Sequence, residues 1–406
     1  MVVPRVRAGL PVGLAGGRDR GSHRGGRRRH PSRSGRMTDD LDGWRGRAAA
    51  LAEGLARQGA ITDSAWREAV AAVPRHVFVP AFHDDEAGVV RAGDPRWLDA
   101  VYSDDTLVTQ RKEHDGSAWS TSSTTRPSLM LRMLELLDVS DGMTVLEIGT
   151  GTGYNAALLS ERLGAENVTS VDIDPELVEA ARGRLAGAGY VPRLEARDGA
   201  LGCPGRAPYD RVIATVAFER VPRAWIGQVR PGGVVLADVR PRGMTWAGAL
   251  ALLTVGADGT AGGPLVSCTW GFMSARPDVS RPGAPEPVHI DATSVRSRTS
   301  EVGAGALRTP GLSLLIWQRL PGINAYSEAG GAQITAPDGS WAKASGRVPA
   351  HVEHGGPSDV WTRVEEAHAW WVGHGRPGVE DFGLAVGPDG QRLVHRGRGR
   401  GMGGLG

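Results

Sequence analysis

The segment Thr144-Val145-Leu146-Glu147-Ile148-Gly149-Thr150-Gly151-Thr152-Gly153-Tyr154 joins a short apolar run to three glycines spaced two apart, and an amphipathic helical pattern from Ala156 to Leu163 follows. That order predicts a buried strand whose carboxyl end opens onto a ligand. The glycine spacing narrows the ligand. A dinucleotide-binding turn places its third glycine five positions after the first, so that backbone amides meet a pyrophosphate; here position 154 is tyrosine. The pattern E-x-G-x-G-x-G suits S-adenosylmethionine instead. That molecule carries no phosphate and needs only close backbone approach to its methionine part, with the helix N-terminus facing its carboxylate. Glu147, Gly149, Thr150, Gly151 and Gly153 are therefore assigned to a cofactor site.

Beyond Pro127 the chain alternates regularly: helix 127–138, strand 144–148, helix 154–163, strand 168–172, helix 175–188, strands 191–196 and 210–214, helix 221–229 and strand 232–238. Strands separated by helical patterns predict an α/β fold, a mostly parallel Rossmann-like sheet with helices on both faces, of the class I methyltransferase kind. The apolar runs Ala249–Val255 and Leu265–Phe272, joined through Gly256-Ala257-Asp258-Gly259, read as an antiparallel hairpin at the sheet edge. Upstream, apolar spacing over 41–60 predicts one helix and Thr62 an N-cap for a second through Val73; residues 81–126 read as a long irregular cover.

Composition sets the domain limits. The formal charge is +2, but residues 1–36 hold ten Arg and one Asp, so the remaining chain carries −7. An acidic body argues against nucleic-acid binding, which rests on clustered Lys and Arg. The expected division is a disordered Arg-rich head (1–36), with Met37 as the natural start, a catalytic domain (37–273), a Pro-rich linker (274–289), a smaller α+β domain (290–396) and a disordered Gly-rich tail (397–406). In the smaller domain Leu312–Leu320 reads as a strand. Pro337-Asp338-Gly339 and Pro388-Asp389-Gly390 read as turns, and Ser358 as the cap of a helix with Val360, Val364, Ala367 and Trp371 on one face. Cys203 and Cys268 form neither a disulfide framework nor a zinc spacing, no metal is expected, and no apolar run reaches membrane-spanning length, so a cytoplasmic protein is expected.

The cofactor assignment has further support downstream. Asp172 ends the second strand, where a carboxylate can accept ribose hydroxyls, with Ile173 beside it; Asp198-Gly199 follows the third, where the acid can accept an adenine amino group; Thr215 follows the fourth. Each has an ordinary alternative: Asp172 or Asp174 can cap the helix at Pro175, and Asp198-Gly199 can be a plain turn. Together with the strand pattern, the cofactor reading is favoured. His76, His83 and His114 read as surface or packing residues.

Phe78-Val79-Pro80, the run Ala100-Val101-Tyr102-Ser103-Asp104-Asp105-Thr106-Leu107, the Ser/Thr stretch before Pro127, the glycine turn and Ala207-Pro208-Tyr209-Asp210 together resemble the protein-L-isoaspartate O-methyltransferase family over residues 40–240. The resemblance implies that a Ser-x-Pro element supplies a hydroxyl to the substrate carboxylate. Here the element is Thr125-Arg126-Pro127, preceded by Thr124, so Thr125, Arg126 and Thr124 become the candidate catalytic residues. Thr adds a methyl group and Arg126 a cation, and both departures point to a different carboxylate substrate or one held by extra charge pairing.

A narrower resemblance rests on Asp94-Pro95-Arg96-Trp97-Leu98 and the residues following to Gln110, and on Asp381-Phe382-Gly383-Leu384-Ala385-Val386. These look like actinobacterial homologues that work with ATP-grasp ligases on graspetide precursors, a related group serving lanthipeptides. That implies a precursor peptide carrying an Asp as substrate, an ATP-grasp ligase as pathway partner, an aspartimide product, and a peptide-holding role for the extra domain, which the parent repair enzymes are expected to lack. A repair enzyme with an accessory domain and a noncatalytic peptide-binding scaffold are the competing readings.

Overall fold

The computed structural model describes residues 43–114, 116–242, 244, 246–268, 271–280, 294–328, 330–397 and 403–404. The expected head (1–36), most of the linker and most of the tail lie outside the described residues. Helix α1 (Trp44–Arg57) buries Ala48, Leu51, Ala52 and Leu55, one face at helical spacing. Helix α2 (Ser64–Ala72) is capped by Asp63, whose carboxylate accepts from the Ala65 amide at 2.8 Å. The expected cap, Thr62, instead gives its amide and hydroxyl to Glu135. The short helix α3 (Arg75–Phe78) then leads to β1 (Ala81–Asp84) and β2 (Gly88–Arg91), the short helix α4 (Trp97–Val101), β3 (Leu107–His114) and β4 (Ser117–Thr124). These strands form an antiparallel sheet in the order β2-β1-β3-β4. The stretch read as an irregular cover is thus a small sheet.

Pro127 opens α5 (Pro127–Leu137), where a missing N–H is tolerated. The alternation then proceeds through β5 (Val145–Ile148), α6 (Tyr154–Leu163), β6 (Val168–Asp172), α7 (Pro175–Gly187), β7 (Arg193–Ala196), β8 (Tyr209–Phe218), α8 (Arg223–Ile226) and β9 (Val229–Val239). Strands β5 to β9 are parallel, as expected. β10 (Ala249–Val255) and β11 (Ala261–Val266) form an antiparallel hairpin, but its second strand starts upstream of the expected Leu265–Phe272 run and is not the sheet edge. Alternate side chains divide the interior: Leu146, Ile148, Val212 and Val235 enter one core, while Val145, Ile213 and Leu236 enter the other, packed by α1 and α2.

The expected smaller C-terminal α+β region is present, but it shares its core with the central sheet. It contains β12 (Arg296–Ser300), α9 (Leu312–Arg319), β13 (Asn324–Glu328), β14 (Gly331–Thr335), β15 (Trp341–Ser345), β16 (Ala350–Gly355), α10 (Val360–Gly373), β17 (Phe382–Gly387), β18 (Gly390–His395) and β19 (Gly403–Gly404). Five of these strands make their own antiparallel sheet, β12-β16-β15-β14-β13. The last three extend the central sheet to ten strands, because β17 pairs with β11 from Ala261↔Val386 to Pro264↔Gly383. Leu314, Val352, Trp361 and Phe382 share a core with Ala214 and Val235 of the central sheet, so no boundary near 290 separates two cores.

Two local expectations also change. Leu312–Leu320 forms helix α9, since Leu312 to Ile316 are all buried and a short apolar run does not distinguish helix from strand by periodicity. Helix α10 is capped not by Ser358 but by Asp359, whose carboxylate accepts from the Trp361 amide at 3.0 Å. No helix among the described residues is long and apolar enough to cross a membrane.

Candidate active site

The carboxyl ends of β5, β6 and β8 meet around the glycine turn. Gly149 has φ 99°, and a Cβ there would lie 2.9 Å from the Thr215 hydroxyl, so this position requires glycine. Thr215 uses that proximity to donate to the Gly149 carbonyl at 2.8 Å, which makes it a brace of the turn. Glu147 is a brace as well. It is wholly buried, its two oxygens accept from Asn155 at 2.7 Å and Ser170 at 2.6 Å, and Ser170 bonds in turn to Thr150 at 2.6 Å. The Glu147 and Thr150 side chains, assigned by the sequence to the cofactor site, are thus joined to each other through Ser170 under the turn. Burial pushes the Glu147 carboxyl up to about 7, despite the two hydrogen bonds that favour its ionised form.

Asp172 faces the turn from β6. Its carboxylate accepts the Gly151 amide at 2.9 Å and the Asp174 amide at 3.0 Å, and burial raises its pKa. The cap of α7 is Asp174, through the Glu176 amide. The two acids thus divide the roles that the sequence left open, and Asp172 keeps lone pairs for a ribose. Ile173, between them, is half-buried. Asp198 is exposed and caps a short turn at the Ala200 amide with one oxygen. Gly199 is needed there, because a Cβ would lie 2.5 Å from the Ile148 side chain. The acid, the glycine cradle and the exposed second acid fit the cofactor that the spacing selects.

Two covers converge on this floor: one lies in the stretch 81–126 that the sequence read as a cover, and the other the sequence did not identify. The β3–β4 hairpin brings the Ser122 hydroxyl to 3.7 Å from where a Gly151 Cβ would stand, and its Lys112 ammonium reaches Asp174 at 2.8 Å. The segment 272–276, expected to open into a linker, is a strap. The Phe272 amide donates to Asp238 at the end of β9, Ser274 bridges to Ala217 in β8, and Arg276 reaches Asp174 at 3.6 Å. Since the sheet order is β9-β8-β5-β6, the strap and the Arg276 side chain pass across the carboxyl end of β5. Lys112 and the hydrogen bonds of Asp174 hold its carboxyl below the usual range against the effect of burial.

The candidate catalytic residues sit where the hairpin ends. Thr124 is buried, with a hydroxyl that has no hydrogen-bond partner among the described residues. Thr125 follows, its carbonyl accepting from Arg75. Arg126 pairs with Asp105 at 3.3 Å, so its cation is already partnered by the chain. His76 bonds the Tyr102 hydroxyl at 2.8 Å among the rings of Trp44 and Trp97, as a packing residue does.

Residues 46–247 match the protein-L-isoaspartate(D-aspartate) O-methyltransferase family. The protein-L-isoaspartate O-methyltransferase of Thermococcus onnurineus is 35% identical over 189 residues, covering 46% of this chain and 75% of that one. That of Aeropyrum pernix is 34% identical over 203 residues, covering 49% and 69%. The chain belongs to the protein-L-isoaspartate O-methyltransferase family. It is an S-adenosylmethionine-dependent carboxyl O-methyltransferase. A solved structure titled protein-L-isoaspartate O-methyltransferase shares the fold, with a TM-score of 0.53 at 21% identity over 85% of this chain and 98% of that one. That span exceeds what residues 1–289 can supply, so it takes in part of the C-terminal region. The likeness of fold therefore extends beyond the residues that match the family model.

Proposed function

We propose that this isoaspartyl-methyltransferase relative esterifies the side-chain carboxylate of an aspartyl-type residue in a peptide. The observation that carries the reading is the placement of β4: Ser122 lies against Gly151, and the strand ends two residues later at Thr124 and Thr125. The Ser122 hydroxyl and the glycine turn share one wall, with Thr124 and Thr125 next along the chain. S-adenosylmethionine supplies a methyl group on a positively charged sulfur. The chain's own residues hold and orient: Asp172 and Asp198 offer carboxylate oxygens at the ends of β6 and β7, and the turn offers backbone. A carboxylate acceptor is ionised near neutral pH, so these residues need to align it and exclude water rather than remove a proton.

The more specific reading takes the acceptor as an Asp of a ribosomally made, ATP-grasp-modified peptide, with the ligase of that pathway as partner. Its support is the Thr125-Arg126-Pro127 departure and the resemblance carried by 94–110 and 381–386. In that setting the next backbone nitrogen attacks the ester carbonyl, the C–O bond breaks, and methanol leaves with the amide proton, giving an aspartimide. A general repair enzyme is the second reading, favoured by a family fold that includes the C-terminal region. Intact-mass analysis with an isoaspartyl peptide and, separately, a cyclised precursor distinguishes them. Methyl gain followed by methanol loss only on the precursor is expected for the maturation role, and preferential methylation of the simple peptide overturns it. Thr125→Ala is expected to lower transfer by roughly ten- to a hundredfold with S-adenosylhomocysteine affinity retained; parallel loss of both makes Thr125 structural.

A further inference from the structure

Arg75 opens the short helix α3, yet its side chain is completely buried. No ion pair compensates it among the described residues. Its guanidinium instead donates to three backbone carbonyls on two separate segments: Ser103 at 3.0 Å, Asp105 at 3.3 Å and Thr125 at 3.2 Å. It also lies 5.5 Å over the Tyr154 ring, at the first position of the helix after the glycine turn. Desolvation lowers the Arg75 pKa, with the nearby Asp104 and Asp105 charges opposing. A buried cation is expensive unless its donors are used; here Nε has no partner among the described residues, and the two terminal nitrogens gather the loop 103–106 and the segment 125–128 onto one planar group.

The same two segments grip each other on the far side of that group. The Arg126 amide donates to the Thr106 hydroxyl at 3.2 Å, Arg126 pairs with Asp105, and the Ser128 amide donates to Asp104 at 2.8 Å, closing the first turn of α5. The glycine turn, by contrast, is held by Thr215, Asp172 and the Glu147 cluster. The hydrogen bonds that hold the acceptor loop are therefore distinct from those that hold the glycine turn, with the Arg75–Tyr154 stacking as a contact between the two.

We propose that Arg75 is a positioning residue: its guanidinium locks the loop 103–106 to the segment 125–128 and so fixes where Thr125 meets the acceptor. The assignment rests on the carboxyl-methylation reading of Thr125. Lysine, a point charge with three donors on a flexible stem, cannot reproduce a planar fork that reaches three carbonyls.

Amide hydrogen exchange on the full chain tests the positioning without requiring activity. In Arg75→Lys, the Arg126 and Ser128 amides are expected to exchange roughly tenfold faster, about 1.4 kcal/mol of lost protection, while the Gly151 and Ala157 amides keep their rates. Arg75→Gln, uncharged and with a single donor group, removes the fork without a buried charge, and the same pattern is expected from it if Arg75→Lys fails to fold. In the methylation arm, kcat/KM for the peptide falls by roughly ten- to a hundredfold, S-adenosylhomocysteine affinity stays within about threefold of wild type, and millimolar guanidinium partly restores Arg75→Ala. Unchanged exchange at Arg126 and Ser128, equal loosening of Gly151, or parallel loss of cofactor affinity overturns the proposal. A wild-type protein that methylates neither peptide overturns the functional reading alone, and the exchange arm still decides the role of Arg75.

Discussion

At the scale of single residues, Glu147 shows how a motif position can do other work than its pattern suggests. An acid two before the first glycine reads as a ligand contact, but its burial against Asn155 and Ser170 makes it the keystone under the turn. Its carboxyl titrates near 7 in the folded chain and near 4.5 when unfolded. Between those values the folded state holds a proton that the unfolded state has released. The contribution to stability is thus present below about pH 4.5 and is lost as pH rises toward 7, at up to roughly 1.4 kcal/mol per unit. Glu147→Gln is expected to remove that component, which urea midpoints of both proteins from pH 4.5 to 8 will measure; parallel pH profiles would refute it. The positions of Asp172, Asp198 and Gly199 at successive strand ends were legible because strand ends recur at predictable spacing. The division of labour between Asp172 and Asp174 was not, since both lie at the same strand end.

Among the elements, the parallel strands and their helices were readable from periodicity alone. The cover was not. Strands β3 and β4 read Leu-Val-Thr-Gln-Arg-Lys-Glu-His and Ser-Ala-Trp-Ser-Thr-Ser-Ser-Thr, mostly polar and only partly buried, so no alternation marks them. The strap was hidden by composition, because Arg276 precedes a proline in a proline-rich stretch. Its three attachments, at Asp238, Ala217 and Asp174, place it across the end of β5. Arg276→Ala is expected to speed S-adenosylhomocysteine release by roughly three- to tenfold, the scale of about 1 kcal/mol. Lys112 still holds Asp174 in that variant, so thermal stability should change little. Stopped-flow displacement measures the rate, and an unchanged rate would show that the strap does not limit exchange.

For the whole molecule, the C-terminal region is part of the catalytic fold. Strand β17 pairs with β11, and Gln391 of β18 accepts from the Val221 amide at 2.9 Å and donates to the Glu219 carbonyl at 3.2 Å, fastening the loop after β8. Removing residues 290–406 would expose the β11 edge and open a shared core. The truncated chain is expected to aggregate or lose cooperative unfolding, whereas the full chain should unfold in one transition followed by circular dichroism. A truncated chain that stays soluble and binds S-adenosylhomocysteine would contradict this. The sequence by itself determined the α/β class, the cofactor and its floor, because hydrophobic period and glycine spacing are local and the floor residues lie at successive strand ends. Only the tertiary structure decided which residues close the site and that the chain's last strands complete its sheet. Lys112, Arg276 and Gln391 act on partners tens to hundreds of positions away, and such pairings leave no periodic signal in the chain that makes them.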